Sequence, residues 1–265
     1  MKKVYLLIIF ALALVSCGKE LPSWVIELEA KNPLKDNPNF TSVYFRFDTI
    51  INDFQVSGIF YPSYSKEYGW DAHENGARIF FHNLKTGKEY VWTDWDDESG
   101  CFKSYFMSKN VANIVSDKKF RGHKNGDYYV FQYDTTPATY SDNNLLPYAE
   151  YQFYDADFDG TDELILGMYT GGPYGSPSYE IYEMTDSELT LKRADDGCDY
   201  FFIDTSTKFD SMNKVISNTL YGGAYAWGEY TYKVDEHGDL HQWYHASFVS
   251  DFDHNIVSTD TTFFQ

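Results

Sequence analysis

The stretch "DADFDGTDELILG" at residues 155–167 sets Asp155, Asp157 and Asp159 on alternate positions, follows them with Gly160, and runs through Glu163 into an apolar segment. Carboxylates held this close repel one another, by about 1 kcal/mol per pair at 4 Å in water and several times that near a protein surface. A cation among them turns the same cluster into a favourable arrangement. Alternate residues of a tight turn can aim at one centre, Gly160 permits the sharp bend, and the Thr161 carbonyl faces the same point. Hard oxygen donors at this density suit Ca2+, which accepts six to eight oxygens in flexible geometry, better than Mg2+, which demands stricter octahedral ligation. The candidate ligands are Asp155, Asp157, Asp159, Thr161 and Glu163.

The loop also restricts its surroundings. Leu166 stands at the twelfth position, where an EF-hand requires a bidentate glutamate. The flanks "YQFY" and "LILGMY" read as strands where that motif needs helices. Extended patterns recur throughout. In "SVYFRFDTI" Val43, Phe45 and Phe47 fall on one face, and "ARIFFHNLKTGKEYVW" reads as two strands around a turn at 85–88 with Gly87 free to take positive φ. "DYYVFQY", "SYEIYEM" with "ELTLKR", and "EYTYKV" with "LHQWYHASF" repeat the theme. Aromatic residues make up 19% of the chain, which favours the half-buried pleated surface of a sheet. No stretch sustains a 3.6-residue apolar period; residues 107–118 are the best short-helix candidate, with a helical turn available around 24–30.

The N-terminus reads as an export signal. Lys2 and Lys3 precede an apolar run from Val4 to Leu14 that is too short to span a bilayer comfortably. "LVSC" then resembles a bacterial lipobox, which implies cleavage before Cys17 and acylation of its thiol; a plain secretory signal is the alternative. Several acyl chains anchor stably where one does not. Gly18 follows, so the resemblance implies an outer-membrane destination with the face left open. We expect residues 1–17 as signal peptide and lipidated cysteine, 18–40 as a tether punctuated by Pro22, Pro33 and Pro38, and 41–265 as one all-β domain.

Removing residues 1–16 takes away Lys2 and Lys3 and no acid, so the net charge falls from −19 to −21. A body this acidic repels nucleic acid and anionic headgroups, and its partners are cations, basic proteins or neutral glycans. Cys101 and Cys198 remain after lipidation. In an oxidising compartment they could bridge, closing a loop worth roughly 4–5 kcal/mol in the chain-entropy view, or stay as two free thiols.

Residues 169–193 align weakly with 221–243: a Gly-Gly pair is followed two residues later by Tyr and seven residues later by a Tyr opening a strand. The pairs lie 51 residues apart, a length suited to one four-stranded propeller blade. We therefore expect an all-β, propeller-like body of about five blades, with a β-sandwich as the competing architecture.

The pattern D-x-D-x-D-G-x-x-E-L between strands resembles the calcium loops of FG-GAP and VCBS-type β-propeller repeats. That resemblance implies ion binding by Asp155, Asp157, Asp159 and Glu163, although here the loop occurs once. From the loop onward, about residues 148–245, the chain is similar to small five-bladed propeller lipoproteins of bacterial envelopes that are associated with secretion systems and inhibit lysozyme-like effectors. The likeness implies a non-catalytic role, with no inhibitory residue carried over.

Motifs for catalysis are sparse. No G-x-S-x-G elbow, phosphate loop or H-E-x-x-H occurs. His237, His241 and His245 are four apart, so that on a strand His241 and His245 share a face; such residues are commonly half-exposed sheet residues, and a transition-metal site is the weaker reading. Asp96/Asp97 and Asp195/Asp196 could serve a hydrolase, although adjacent acids on turns are commonly just solvated. Tyr174, Tyr179, Tyr225 and Trp227, beside glycine pairs, are candidate ligand-contact aromatics. The expected function is a calcium-binding, lipid-anchored binding module for a protein, including a basic lysozyme-like enzyme. The alternatives are a glycan binder and a carboxylate hydrolase.

Overall fold

A computed structural model describes residues 21–65, 69–95, 103–104, 107, 122–125, 128–133, 149–168, 178–192, 203–204, 206–221, 225–253 and 255–264. Among the described residues the chain is one short helix and three open β-sheets. The first sheet holds β1 (Val43–Ile51), β2 (Phe54–Ser65), β3 (Gly69–Asn83), β4 (Glu89–Asp94), β5 (Gly122–Asn125) and β6 (Tyr128–Phe131), in the order β4-β3-β2-β1-β6-β5. Its pairings are antiparallel except β1 with β6.

The second sheet runs β10-β9-β8-β7, from β7 (Tyr151–Tyr154), β8 (Glu163–Met168), β9 (Ser178–Thr185) and β10 (Glu188–Leu191), with β11 (Ile203–Asp204) added to β9. The third is an antiparallel meander of β12 (Lys208–Asp210), β13 (Val215–Tyr221), β14 (Ala226–Val234), β15 (Leu240–Ser250) and β16 (Ile256–Phe263). The two halves of the weak repeat thus map onto the β9–β10 and β14–β15 hairpins. Their glycine pairs lie outside the described residues, as do Cys17, Cys101 and Cys198.

Alternation in β1 explains how the first two sheets meet. Phe45 and Phe47 are fully buried and join Phe81, Tyr151, Leu164 and Leu166 in one cluster shared by both sheets. Among its ring contacts, Phe47–Tyr151 meet edge-on with centroids 5.2 Å apart and Phe54–Phe153 stack at 4.5 Å. Such geometries suit the aromatic quadrupole and add about 0.5–1.5 kcal/mol per pair beyond area burial. Gly58 belongs to this packing, because a Cβ there would stand 2.3 Å from the Phe45 ring. The turn after β3 takes the expected form, with Gly87 at φ 74°.

The opposite face of β1 and β2 is covered by α1 (Ser23–Lys31), which falls within the segment expected as a tether. Val25 and Leu28, three residues apart on one side of the helix, are buried against Tyr44, Ile59, Tyr61 and Phe80. Asn32 fastens the helix end: its Nδ2 donates to Ser42 Oγ at 2.8 Å and its Oδ1 accepts from the Tyr61 hydroxyl at 2.9 Å. Buried polar groups satisfied in this way add orientation as well as stability. Of the proposed helix at 107–118, only Met107 lies among the described residues, buried in the main cluster.

Candidate metal centre in the 155–162 loop

The acidic loop is the connection of the β7–β8 hairpin, closed by the pairing of Tyr154 with Glu163. Both flanks are strands, as the sequence pattern requires. Two residues turn the chain through the left-handed region, Phe158 at φ 60° and Gly160 at φ 92°. For glycine this conformation costs little; for a phenylalanine it is uncommon and needs compensation. The Phe158 ring provides it by packing on Phe209 and the buried group of Ile216, Tyr232, Val234 and Leu240 in the third sheet.

Backbone amides curl the loop around its own acids. Gly160 N–H donates to Asp155 Oδ2 at 3.1 Å, Asp159 N–H to Asp157 Oδ1 at 3.2 Å, and Thr161 N–H to Asp159 Oδ1 at 2.6 Å. The result is that Asp155, Asp157 and Asp159 each offer an oxygen within 4.8 Å of the others. Asp155 Oδ1 is buried and has no hydrogen-bond partner. A buried carboxylate oxygen left unmatched is costly, and a cation at the centre of the trio would satisfy it. The donor set therefore fits a hard divalent ion.

Glu163 stands beside this trio without being one of the three. It is 3% exposed, and its Oε2 accepts the Ala156 N–H at 2.7 Å. Burial pushes its carboxyl up to about 7; the Asp157 and Asp159 carboxylates add to that, while the Ala156 N–H and Lys192 oppose it. Thr161 is exposed, and its N–H serves the loop as above.

A charged neighbour of the trio comes from outside the motif. Lys192, directly after β10, forms an ion pair with Asp157 Oδ2, and its Nζ also donates to the Gly238 carbonyl at 3.3 Å. Both partners of the pair are withdrawn from water, with side chains 12% and 3% exposed. Burial by itself pulls the lysine down, but hydrogen bonding and charge from Asp157, and then Glu163, raise it above the ordinary lysine value. Gly238 lies in the β14–β15 turn at φ 81°, held by Asp235 Oδ1, which accepts from the His237 and Asp239 amides at 2.8 and 3.0 Å. The only sequence signal for the contact is a lysine ending an alternating strand, 35 residues from its partner.

The other predicted residues are scattered. Tyr179 is 2% exposed and packs with Ile165, Ile181 and Ile203 in the second sheet. Tyr225 is exposed with its ring 5.0 Å from Phe252, and Trp227 stacks on Phe248 at 5.1 Å. Tyr174, Asp96, Asp97, Asp195 and Asp196 lie outside the described residues.

The histidine pattern needs a correction. β15 carries a one-residue bulge at Trp243, so that Thr231 pairs with Tyr244 but Tyr232 with Gln242. His245 sits opposite Tyr230 and His241 opposite Lys233, three residues apart along unbulged β14. Cross-strand partners share a face and successive residues alternate, so the two histidines project from opposite faces. His245 stacks on Tyr230 at 4.5 Å, and His241 Nε2 lies 3.0 Å from Asp235 Oδ2. They do not share a metal site.

Among the described residues no helix is long and apolar enough to cross a membrane. No family model and no curated protein matches the sequence. The fold is similar to a solved structure described as a Xanthomonas type IV secretion system related protein. The two share 12% identity over 84% of this chain and 89% of that one, with a TM-score of 0.47.

Proposed function

We propose that this chain is a calcium-binding protein of the bacterial cell envelope, tethered to the outer membrane through acylated Cys17, whose all-β body serves as a non-catalytic module for binding another protein. The body is read as a β-propeller of about five blades, on the strength of the repeat length and the loop's resemblance to FG-GAP and VCBS calcium loops. The observation that carries the calcium reading is the convergence of three carboxylates on one point with a buried Asp155 oxygen left over. Asp155, Asp157 and Asp159 would hold the ion, with Glu163 and the Thr161 carbonyl adjoining. Calcium supplies positive charge where the fold has gathered negative charge.

The partner reading rests on net charge. A body at −19 before processing attracts a basic protein at long range, and a lysozyme-like muramidase is the class that the envelope-lipoprotein resemblance suggests. Titration calorimetry of calcium into the chelator-treated soluble body tests the first part; heat indistinguishable from buffer dilution rejects it. Association with a basic lysozyme-type enzyme, followed at two salt concentrations, tests the second. Steered binding slows steeply as salt rises, and equal on-rates would reject charge-driven association.

A further inference from the structure

Lys192 sets a positive charge directly against one carboxylate of the aspartate trio. Its ammonium sits on Asp157 Oδ2, Asp157 is the most buried of the three clustered aspartates, and the same ammonium reaches the Gly238 carbonyl in the third sheet. Gly238 approaches so closely that a Cβ on it would stand 2.7 Å from the same carboxylate oxygen and 3.5 Å from Lys192 Nζ. The lysine is thus enclosed between the acidic loop and the 235–239 turn, with a charge partner on one side and a carbonyl on the other.

We propose that Lys192 is a resident counter-cation that competes with the divalent ion for Asp157, holding the loop together and against the third sheet when no ion is bound and weakening ion capture as a consequence. The inference rests on the calcium reading above, and its reasoning is electrostatic. Without an ion, a buried Asp157 carboxylate needs a positive partner, which Lys192 supplies. With an ion beside Asp157, two cations share one carboxylate at close range in a partly dry site and repel each other. Ion binding therefore has to displace the ammonium from Asp157, and the displaced ammonium relaxes the Asp157–Lys192–Gly238 bridge. The loop acquires a moderate affinity in place of a permanent ion, and its occupancy becomes coupled to the contact between the second and third sheets.

The test compares the wild-type soluble body with Lys192→Gln, which keeps length and polarity but removes the charge. Two readouts are needed: calcium titration by calorimetry, and thermal melting in chelator. The variant should bind calcium about tenfold more tightly or better, as removal of a like charge within a few ångströms implies, and should melt below wild type in chelator. Lys192→Arg, which keeps the charge, should stay within about threefold of wild-type affinity. Weaker or unchanged calcium binding by Lys192→Gln overturns the competition, as does an equal gain by Lys192→Arg.

If Lys192→Gln fails to fold, the wild type still decides the matter. Its Lys192 ammonium, protected by the ion pair, should give a slowly exchanging side-chain 1H–15N signal that disappears on saturation with calcium, and persistence of that signal overturns the proposal. Wild-type protein that binds no calcium rejects the calcium reading and this inference together. Wild-type protein that binds calcium, with no gain in Lys192→Gln, rejects this inference alone.

Discussion

Gly238 and Asp157, 81 residues apart in the chain, lie against each other and share Lys192 as a hydrogen-bond partner. A side chain on Gly238 would meet Asp157 Oδ2 at 2.7 Å, and the backbone there is already in the left-handed region. The acidic loop is therefore part of the seam between two sheets as well as a surface turn.

Gly238→Ala should lower stability by about 1–3 kcal/mol, combining the positive-φ penalty with displacement of the Asp157 carboxylate. Urea denaturation measures it through the midpoint at constant slope. Gly87→Ala is the control. It shares a positive φ of 74° but has open space around it, so only the conformational part remains. Equal losses at the two glycines would show that the Asp157 contact contributes nothing.

Asp155→Asn should remove most of the calcium-induced rise in melting temperature while barely changing the melting point in chelator. The carboxamide can still accept the Gly160 N–H, so the loop retains its shape and loses one charged donor. An ion at a hundred times its dissociation constant stabilises the wild type by about 2.7 kcal/mol, and hence by several degrees. A full calcium shift in the variant would remove Asp155 from the ligand set.

Stability should also depend on pH through Asp94. It is fully buried at the end of β4, where its Oδ1 accepts the Ser104 N–H at 2.8 Å and its Oδ2 accepts the Ser104 hydroxyl. Burial pushes its carboxyl up from 3.8 to about 6, against the pull of those bonds. The folded state thus binds more protons than the unfolded one between these values. Its favourable contribution is complete below about pH 4 and is lost as pH rises through about 6. Asp94→Asn should flatten the stability decline across that window, by on the order of 3 kcal/mol. Parallel stability–pH curves for the two proteins would contradict the burial argument.

Leu28→Ala should cost about 2–4 kcal/mol, whereas Ile26→Ala, two residues away and 55% exposed, should change stability by less than about 0.5 kcal/mol. Chemical denaturation of both variants decides whether α1 belongs to the folded body. Two neutral substitutions would mean that the helix only rests on the sheet.

Much of this architecture can be read in one dimension because it is periodic. Alternation of Phe45 and Phe47 with polar neighbours announces β1 and its buried face, and Gly87 marks the turn between β3 and β4. The acidic loop is legible for the same reason: three donors at a spacing of two, with a glycine where the bend falls. The histidines show the limit of that reasoning. A single bulge at Trp243 shifts the parity of β15 and sends His241 and His245 to opposite sides. Tyr179 and Trp227 looked equivalent beside their glycine pairs, yet one is enclosed by isoleucines and the other lies on a ring in the third sheet.

By itself the amino-acid order determined the extended character of the body, the acidic turn and its suitability for a hard cation, since each follows from spacing along a strand. Tertiary structure alone decided that Lys192 is the partner of Asp157, that Gly238 must lack a side chain, and that α1 caps the outer face of the first sheet. The physical reason is that these contacts join segments tens of residues apart. Their energies depend on distance and burial in the folded state, and no local pattern in the chain encodes either quantity.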